Sequence, residues 1–386
     1  MATTRSNTMR LRTSNRENTA ISKSNIDANP VSRSALNEIG NKVSCITLEN
    51  IKRKEITKKG SLRQRAAVPK TTIVKQELTQ PQPPPKTENE SKSQSSPMEV
   101  CETEPRIDMA NVVDIDVDDH ENPQLVSEYV NDIYNYLREL EKTYTVRRNY
   151  LQGQEITGKM RAILIDWLCQ VHHRFRLLQE TLYLTVSVLD RFLQINPVIR
   201  SKLQLVGVTS MLIASKYEEM YAPEVSDFVY ITDNAYTRAD IRQMEMLILK
   251  TLDFKLGKPL CLHFLRRNSK AGQVDANTHT LAKYLMELTI VEYDMVNIHP
   301  SLLAAAALCL SLHLISNTEW NDTLAYYSTY TKSELADIIR KLAKLVLKAE
   351  TSKLTAIRTK YQGSKFFKIS TIPELKGDAI RKVAEN

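Results

Sequence analysis

The sequence predicts an all-α protein: two successive helical domains of about 100 residues each, behind a long disordered tail. Three observations carry this. Glycine is scarce, nine in 386 residues, about 2% against a usual ~7%, and only Gly207 lies between Gly158 and Gly257. From Pro123 onward apolar residues recur at helical spacing, and no strand-period segment competes. A second series of helices then echoes the first.

The first predicted helix, Leu125 to Lys142, places Tyr129, Val130, Ile133, Tyr136, Leu137 and Leu140 on one side. In Met160 to Phe175, the residues Met160, Ile163, Leu164, Trp167, Leu168, Val171 and Phe175 form one stripe, about 140° wide at 100° per residue. That width suits a helix covered by several neighbours, or one partly offered to a partner. Thr181 to Gln194 repeats Leu182, Val186, Leu189 and Leu193 on its inner face. Gln204 to Met220 mixes Gly207, Ser210, Ala214 and Ser215 among larger residues, so neighbouring helices can approach closely. Thr237 to Leu252 opens on Thr237-x-x-Asp240, a capping box with Asp in place of Glu.

Asn277 to Glu292, Pro300 to Ser316 and Thr331 to Lys348 repeat this order. Thr331-x-x-Glu334 is a capping box 94 residues after Thr237, and the Pro300 helix is again the apolar, small-residue element. Two related all-helical domains account for both series.

The net charge of +8 is a sum of unlike parts. Residues 1–96 hold 18 basic and 8 acidic side chains, a net +10; residues 97–123 hold 1 and 9, a net −8; residues 124–386 hold 34 and 28, a net +6. Such blocks read as solvated tails. Residues 1 to about 120 are rich in Ser, Thr, Asn, Gln, Lys and Pro, and cannot bury enough apolar area to offset ordering entropy.

Enzyme chemistry finds no foothold. Gly153-Gln-Glu-Ile-Thr-Gly158-Lys159 matches most of a phosphate-binding loop, but Met160 stands where a hydroxyl should hold magnesium, and no buried strand precedes it. His172 and His173 are adjacent, so they diverge by about 100° on a helix and cannot share a metal; both read as surface residues. The five cysteines (Cys45, Cys101, Cys169, Cys261, Cys309) form no C-x-x-C pair. No cofactor or metal is expected. The longest apolar stretch, Leu302 to Ile315, is too short for a bilayer and reads as a core helix. With no apolar signal region at the N-terminus, a soluble intracellular protein is expected. A pair of helical domains with a tail suits binding.

Specific strings sharpen that reading. Met160-Arg-Ala-Ile-Leu-Ile-Asp-Trp167, Phe175-Arg-Leu-Leu-Gln-Glu-Thr181, Leu189-Asp-Arg-Phe-Leu193 and Ala214-Ser-Lys-Tyr-Glu-Glu219 resemble a cyclin box. Phe264-Leu-Arg-Arg267 with His279-Thr-Leu-Ala-Lys-Tyr-Leu-Met-Glu-Leu-Thr289 resembles the B-type mitotic cyclins. The resemblance covers roughly residues 123 to 375. It implies two tandem five-helix cyclin boxes, at 123–257 (with a preceding helix) and 258–375, between a regulatory tail at 1–122 and a C-terminal tail at 376–386. It also implies a regulatory subunit that activates a mitotic cyclin-dependent kinase. Such a subunit holds the kinase's mobile helix inward, which amounts to binding the active conformation more tightly than the inactive one.

Carried over residue by residue, the resemblance places Lys216 and Glu245 at the centre of the kinase interface, with Tyr217, Leu249, Phe254, Leu256, Ile133 and Tyr136 around them. An intramolecular salt bridge that only fixes helix packing is the competing reading for the charged pair, and core packing for the apolar residues. Arg161 and Asp190 match a buried structural pair joining the first two box helices. Met160, Ile163, Leu164, Trp167 and Gln204 match a patch that captures Arg-x-Leu motifs of protein substrates and inhibitors. Gln170 departs from the acidic residue that would attract the motif's Arg. Arg266, His279 and Lys283 form a candidate anion pocket, with a solvated basic face as the alternative.

In the tail, Arg33-Ser-Ala-Leu36-Asn-Glu-Ile39-Gly-Asn41 is similar to a mitotic destruction box, which implies a ubiquitin ligase of mitotic exit as partner. Arg33, Leu36 and Asn41 are the recognised positions, and Lys42, Lys52 and Lys54 stand downstream as acceptors. The family also implies a cytoplasmic and nuclear protein that shuttles around mitosis. A helical transcription adaptor would need a concentrated basic helix face; the diffuse +6 of the folded part favours neither that nor any nucleic-acid or membrane partner.

Overall fold

The computed structural model describes residues 109–385. The destruction-box positions Arg33, Leu36 and Asn41 lie outside the described residues, as do Lys42, Lys52 and Lys54. Among the described residues the regular structure is helical, with thirteen α-helices and short 3-10 turns.

A leading helix, α1 (Val130–Thr143), precedes two five-helix units. The first comprises α2 (Gly158–Phe175), α3 (Gln179–Ile195), α4 (Leu203–Glu218), α5 (Val225–Ile231) and α6 (Arg238–Thr251). The second comprises α7 (Cys261–Ala271), α8 (Ala276–Val291), α9 (Pro300–Ser311), α10 (Asp322–Ser328) and α11 (Lys332–Ala349). Two short helices follow, α12 (Ala356–Lys360) and α13 (Asp378–Glu385).

The repeat read from the sequence is present in the packing. The small-residue helices α4 and α9 occupy the centres of their units: α4 packs on α3 and α6, and α9 packs on α7, α8 and α11. From Leu205 to Ser215 every residue of α4 is buried, as is every residue of α9 from Leu303 to Ser311. Gly207 is needed there, because a Cβ would stand 2.9 Å from Leu164 Cδ1 on α2. Both capping boxes form: Thr237 caps α6 with Asp240 answering, and Thr331 caps α11 with Glu334 answering.

Several expectations need correction. The acidic segment from Met109 is not part of a disordered tail. Its Asp116 is buried and bonds Arg267 through both oxygens at 2.5 Å, while Lys270 reaches Asp116 at 2.9 Å and also bonds Asp119. Charge pairing with α7 supplies the order that apolar content alone could not. Residues 378–385 form α13 rather than a tail, with Ile380 buried. The Leu125–Lys142 helix begins only at Val130, and the Pro300 helix passes into a π-helical turn at Leu312–Ser316. The short helices α5 and α10 escaped the periodicity because seven residues complete fewer than two turns.

His172 is buried rather than surface-exposed, with Nε2 2.7 Å from the Leu178 carbonyl. Gly158 is the first residue of α2, not a phosphate-loop glycine: a Cβ there would meet the Tyr293 ring at 2.9 Å. No helix among the described residues is long and apolar enough to cross a membrane.

Candidate kinase-binding face

The C-terminal end of α4 meets α6 at one charged contact. Lys216, in the last turn of α4, donates to Glu245 Oε1 on α6 at 2.7 Å. A cation in that turn also complements the helix dipole. The contact is asymmetric: Glu245 is mostly covered at 14% exposure, whereas half of the Lys216 side chain faces solvent. The pair therefore fixes the α4–α6 junction and still leaves its ammonium end accessible.

The candidate apolar residues differ in how far they reach solvent. Tyr217 is 55% exposed, and its hydroxyl lies beside Gly257 in the segment between the two units. Phe254 is 66% exposed because the chain after α6 takes two successive left-handed residues, Asp253 at φ 51° and Phe254 at φ 55°. That conformation is uncommon for a bulky side chain, and it turns the ring outward. Leu249 and Leu256 are half-buried against the core and support the face from beneath. On α1, Ile133 and Tyr136 point to solvent, while Tyr134 and Leu137 pack inward. The same helix is tied to the second unit by Tyr134 Oη donating to the His263 carbonyl at 3.0 Å and Arg138 to the Tyr327 carbonyl at 2.6 Å.

The sequence reading missed four contributors. Arg191, buried on α3, stacks 4.7 Å above the Tyr144 ring just beyond α1 and donates to the Lys255 carbonyl at 2.7 Å. It thereby holds the strand of chain between Phe254 and Leu256. Met220 and Tyr221 extend the face at 86% and 88% exposure. Glu219 shapes that loop by accepting from Leu178 N at 2.7 Å and Thr181 Oγ1 at 2.5 Å, at the start of α3. Arg191 and Glu219 fell within quoted motifs, but neither had a periodicity signal, because each acts through a contact remote in sequence.

The other candidate sites are placed as follows. Arg161 and Asp190 form a buried bidentate pair, 2.6 Å at both contacts. Asp190 also accepts from Tyr150 at 2.7 Å, and Arg161 donates to the Ile290 carbonyl at 3.0 Å. Burial works against the Arg161 charge, but Asp190 outweighs it and raises its pKa.

In the docking patch, Met160, Ile163, Trp167 and Gln204 are half-buried, whereas Leu164 is buried. Leu164 therefore belongs to the α2–α4 packing, not to the open patch. Gln170 is exposed and donates to Asp166 Oδ2 at 3.2 Å. The other oxygen of Asp166 accepts from Ala356 N at 2.9 Å, and burial raises its pKa. The only carboxylate within that turn is thus already engaged.

Arg266, His279 and Lys283 come within electrostatic reach of one another. Burial, then Lys283 and Arg266, hold His279 below the usual histidine range, and burial lowers Lys283. Arg266 is not free, because it bonds Glu180. His279 Nδ1 lies 2.8 Å from Ser269 Oγ.

Residues 132–257 match the cyclin N-terminal domain family and residues 259–375 the cyclin C-terminal domain family. The G2/mitotic-specific cyclin-B of Patella vulgata is 58% identical over 382 residues, covering 92% of this chain and 91% of that protein. The chain belongs to the B-type cyclins. Spisula solidissima cyclin-B is 56% identical over 91% of this chain and 90% of its own, and human cyclin-B2 is 48% identical over 92% and 91%. Among solved structures, a viral cyclin from herpesvirus saimiri shares the fold, with a TM-score of 0.51 at 20% identity over 58% of this chain and 98% of its own. Cyclins of this family are regulatory subunits of kinases, not enzymes.

Proposed function

We propose that this cyclin binds and activates a mitotic cyclin-dependent Ser/Thr kinase, directs its substrate choice to drive the G2/M transition, and is destroyed by ubiquitin-dependent proteolysis at mitotic exit. The observation that carries the reading is the Lys216–Glu245 pair, set within exposed Tyr217 and Phe254. A half-exposed ammonium over a covered carboxylate can bond to partner backbone groups, while the surrounding rings offer apolar area to a mobile kinase helix. Activation then follows from binding one kinase conformation more tightly than the other.

The half-buried Met160, Ile163, Trp167 and Gln204 would dock substrates or inhibitors, weakly for Arg-x-Leu motifs because Gln170 supplies no negative charge. Arg266, His279 and Lys283 would receive a phosphorylated partner once Glu180 gives way. Arg33, Leu36 and Asn41 would deliver the chain to its ubiquitin ligase. Movement between cytoplasm and nucleus is part of the same proposal.

The deciding experiment mixes purified kinase with the wild-type chain or with the Lys216→Ala, Glu245→Ala double variant. A strong loss of binding and of histone phosphorylation is expected while helical circular dichroism stays unchanged. Full activation by the folded variant would reject the assignment. For the tail, Arg33→Ala with Leu36→Ala should prolong survival through anaphase, and disappearance on schedule would remove the degradation reading.

A further inference from the structure

A cavity of about 90 Å³ lies between the two five-helix units, away from every site described above except its border with Arg161 and Asp190. Helix α3 supplies Tyr183, Val186 and Ser187; the linking segment supplies Lys258; Met295 and Leu303 close the far wall. Most of this wall is apolar. Several of its polar groups lack partners.

Ser187 Oγ is buried and has no hydrogen-bond partner. Tyr183 Oη is buried with no oxygen or nitrogen partner and only the Cys261 thiol beside it. Among the described residues the Lys258 ammonium has no ion-pair partner, and the only hydrogen bond of that residue is from its backbone N–H to the Leu256 carbonyl at 2.7 Å. Burial lowers the Lys258 pKa. The one carboxylate in the wall, Asp190, makes no ion pair with it: Arg161 holds both of its oxygens and Tyr150 adds a third contact. Burial pushes the Cys261 thiol up to about 12, so it stays protonated and adds no negative charge.

Buried polar groups are nearly always partnered, and half-buried Lys258 adds a cation that no carboxylate holds. This cavity concentrates two unfilled hydroxyls and one unpaired ammonium against aliphatic walls. We infer that it is a binding site for a small aliphatic monocarboxylate, whose carboxylate accepts from Lys258, Ser187 and Tyr183 while its short chain lies against Val186, Met295 and Leu303. A cavity of about 150 Å³ holds a benzene ring, so this one suits a molecule of about four or five heavy atoms.

The test titrates the full chain with propionate and follows ligand-observed NMR together with the melting temperature, using propionamide and matched sodium chloride as controls. Saturable propionate binding is expected, with propionamide markedly weaker. Lys258→Met should weaken propionate by about tenfold or more, as expected for losing a charge-assisted bond. Non-saturating response, equal affinity for propionamide, or unchanged affinity in Lys258→Met would each overturn the inference. Should Lys258→Met fail to fold, the propionate–propionamide comparison on the wild-type chain decides alone.

Discussion

The Arg161 guanidinium grips both carboxylate oxygens of Asp190 at 2.6 Å and sends its remaining nitrogen to the Ile290 carbonyl of the other five-helix unit at 3.0 Å. One buried cation thus ties α2 to α3 and both to α8. Without Asp190 that buried cation would stand uncompensated. Asp190→Asn is expected to destabilise the chain by about 3–5 kcal/mol, measured by urea unfolding. A loss below about 1 kcal/mol would mean that water reaches the pair and that it is not structural in this sense.

Arg191 predicts a different outcome, because its stack on Tyr144 and its bond to the Lys255 carbonyl hold the chain that displays Phe254. Lysine keeps the charge but cannot both stack and donate in the same plane. Arg191→Lys should weaken kinase association by roughly tenfold, the cost of one charged hydrogen bond, with a smaller effect on the melting midpoint. Titration of the variant against kinase by calorimetry checks this, and unchanged affinity would show that the Phe254 loop holds its shape without Arg191.

Gly207→Ala sets helix propensity against packing. Alanine gains about 1 kcal/mol in a helix interior, but the new Cβ would stand 2.9 Å from Leu164 Cδ1. Overpacking typically costs about 1–3 kcal/mol, so net destabilisation is expected in thermal unfolding. Combining it with Leu164→Ala should cost less than the sum of the two single changes, as neighbours sharing one space do. Strict additivity would place the strain elsewhere.

His172 gives stability a pH dependence of defined sign. Burial, then Lys360, lowers its pKa, while Leu178, Glu287 and Glu219 act in the opposite direction. The unfolded chain therefore takes up the proton first as pH falls. The contribution is complete above about pH 6.5, the unfolded value, and is lost as pH falls from there toward the folded value. His172→Gln should make stability fall less steeply between about pH 7.5 and 5; an unchanged slope would assign the dependence to His263 and His279, whose pKa values burial also lowers.

Much of this protein was legible before any coordinate. The 3.6-residue period, the capping boxes at Thr237 and Thr331, and the small-residue stretches around Gly207 and Ala304–Ala307 specify helices and their order, because these signals are local and repeat along the chain. The Lys216–Glu245 pair was also legible, though only through motif resemblance. Tertiary structure alone decided which apolar residues face outward. Ile133 and Tyr136 share a predicted stripe with Leu137, yet α1 turns them to solvent because Tyr134, Arg138 and Glu141 find partners on the second unit. It also decided that Leu164 is core, that His172 is buried, and that the acidic segment at Asp116 is ordered. Each of these rests on a contact between residues far apart in the chain, where the free energy comes from a partner that no local pattern can name.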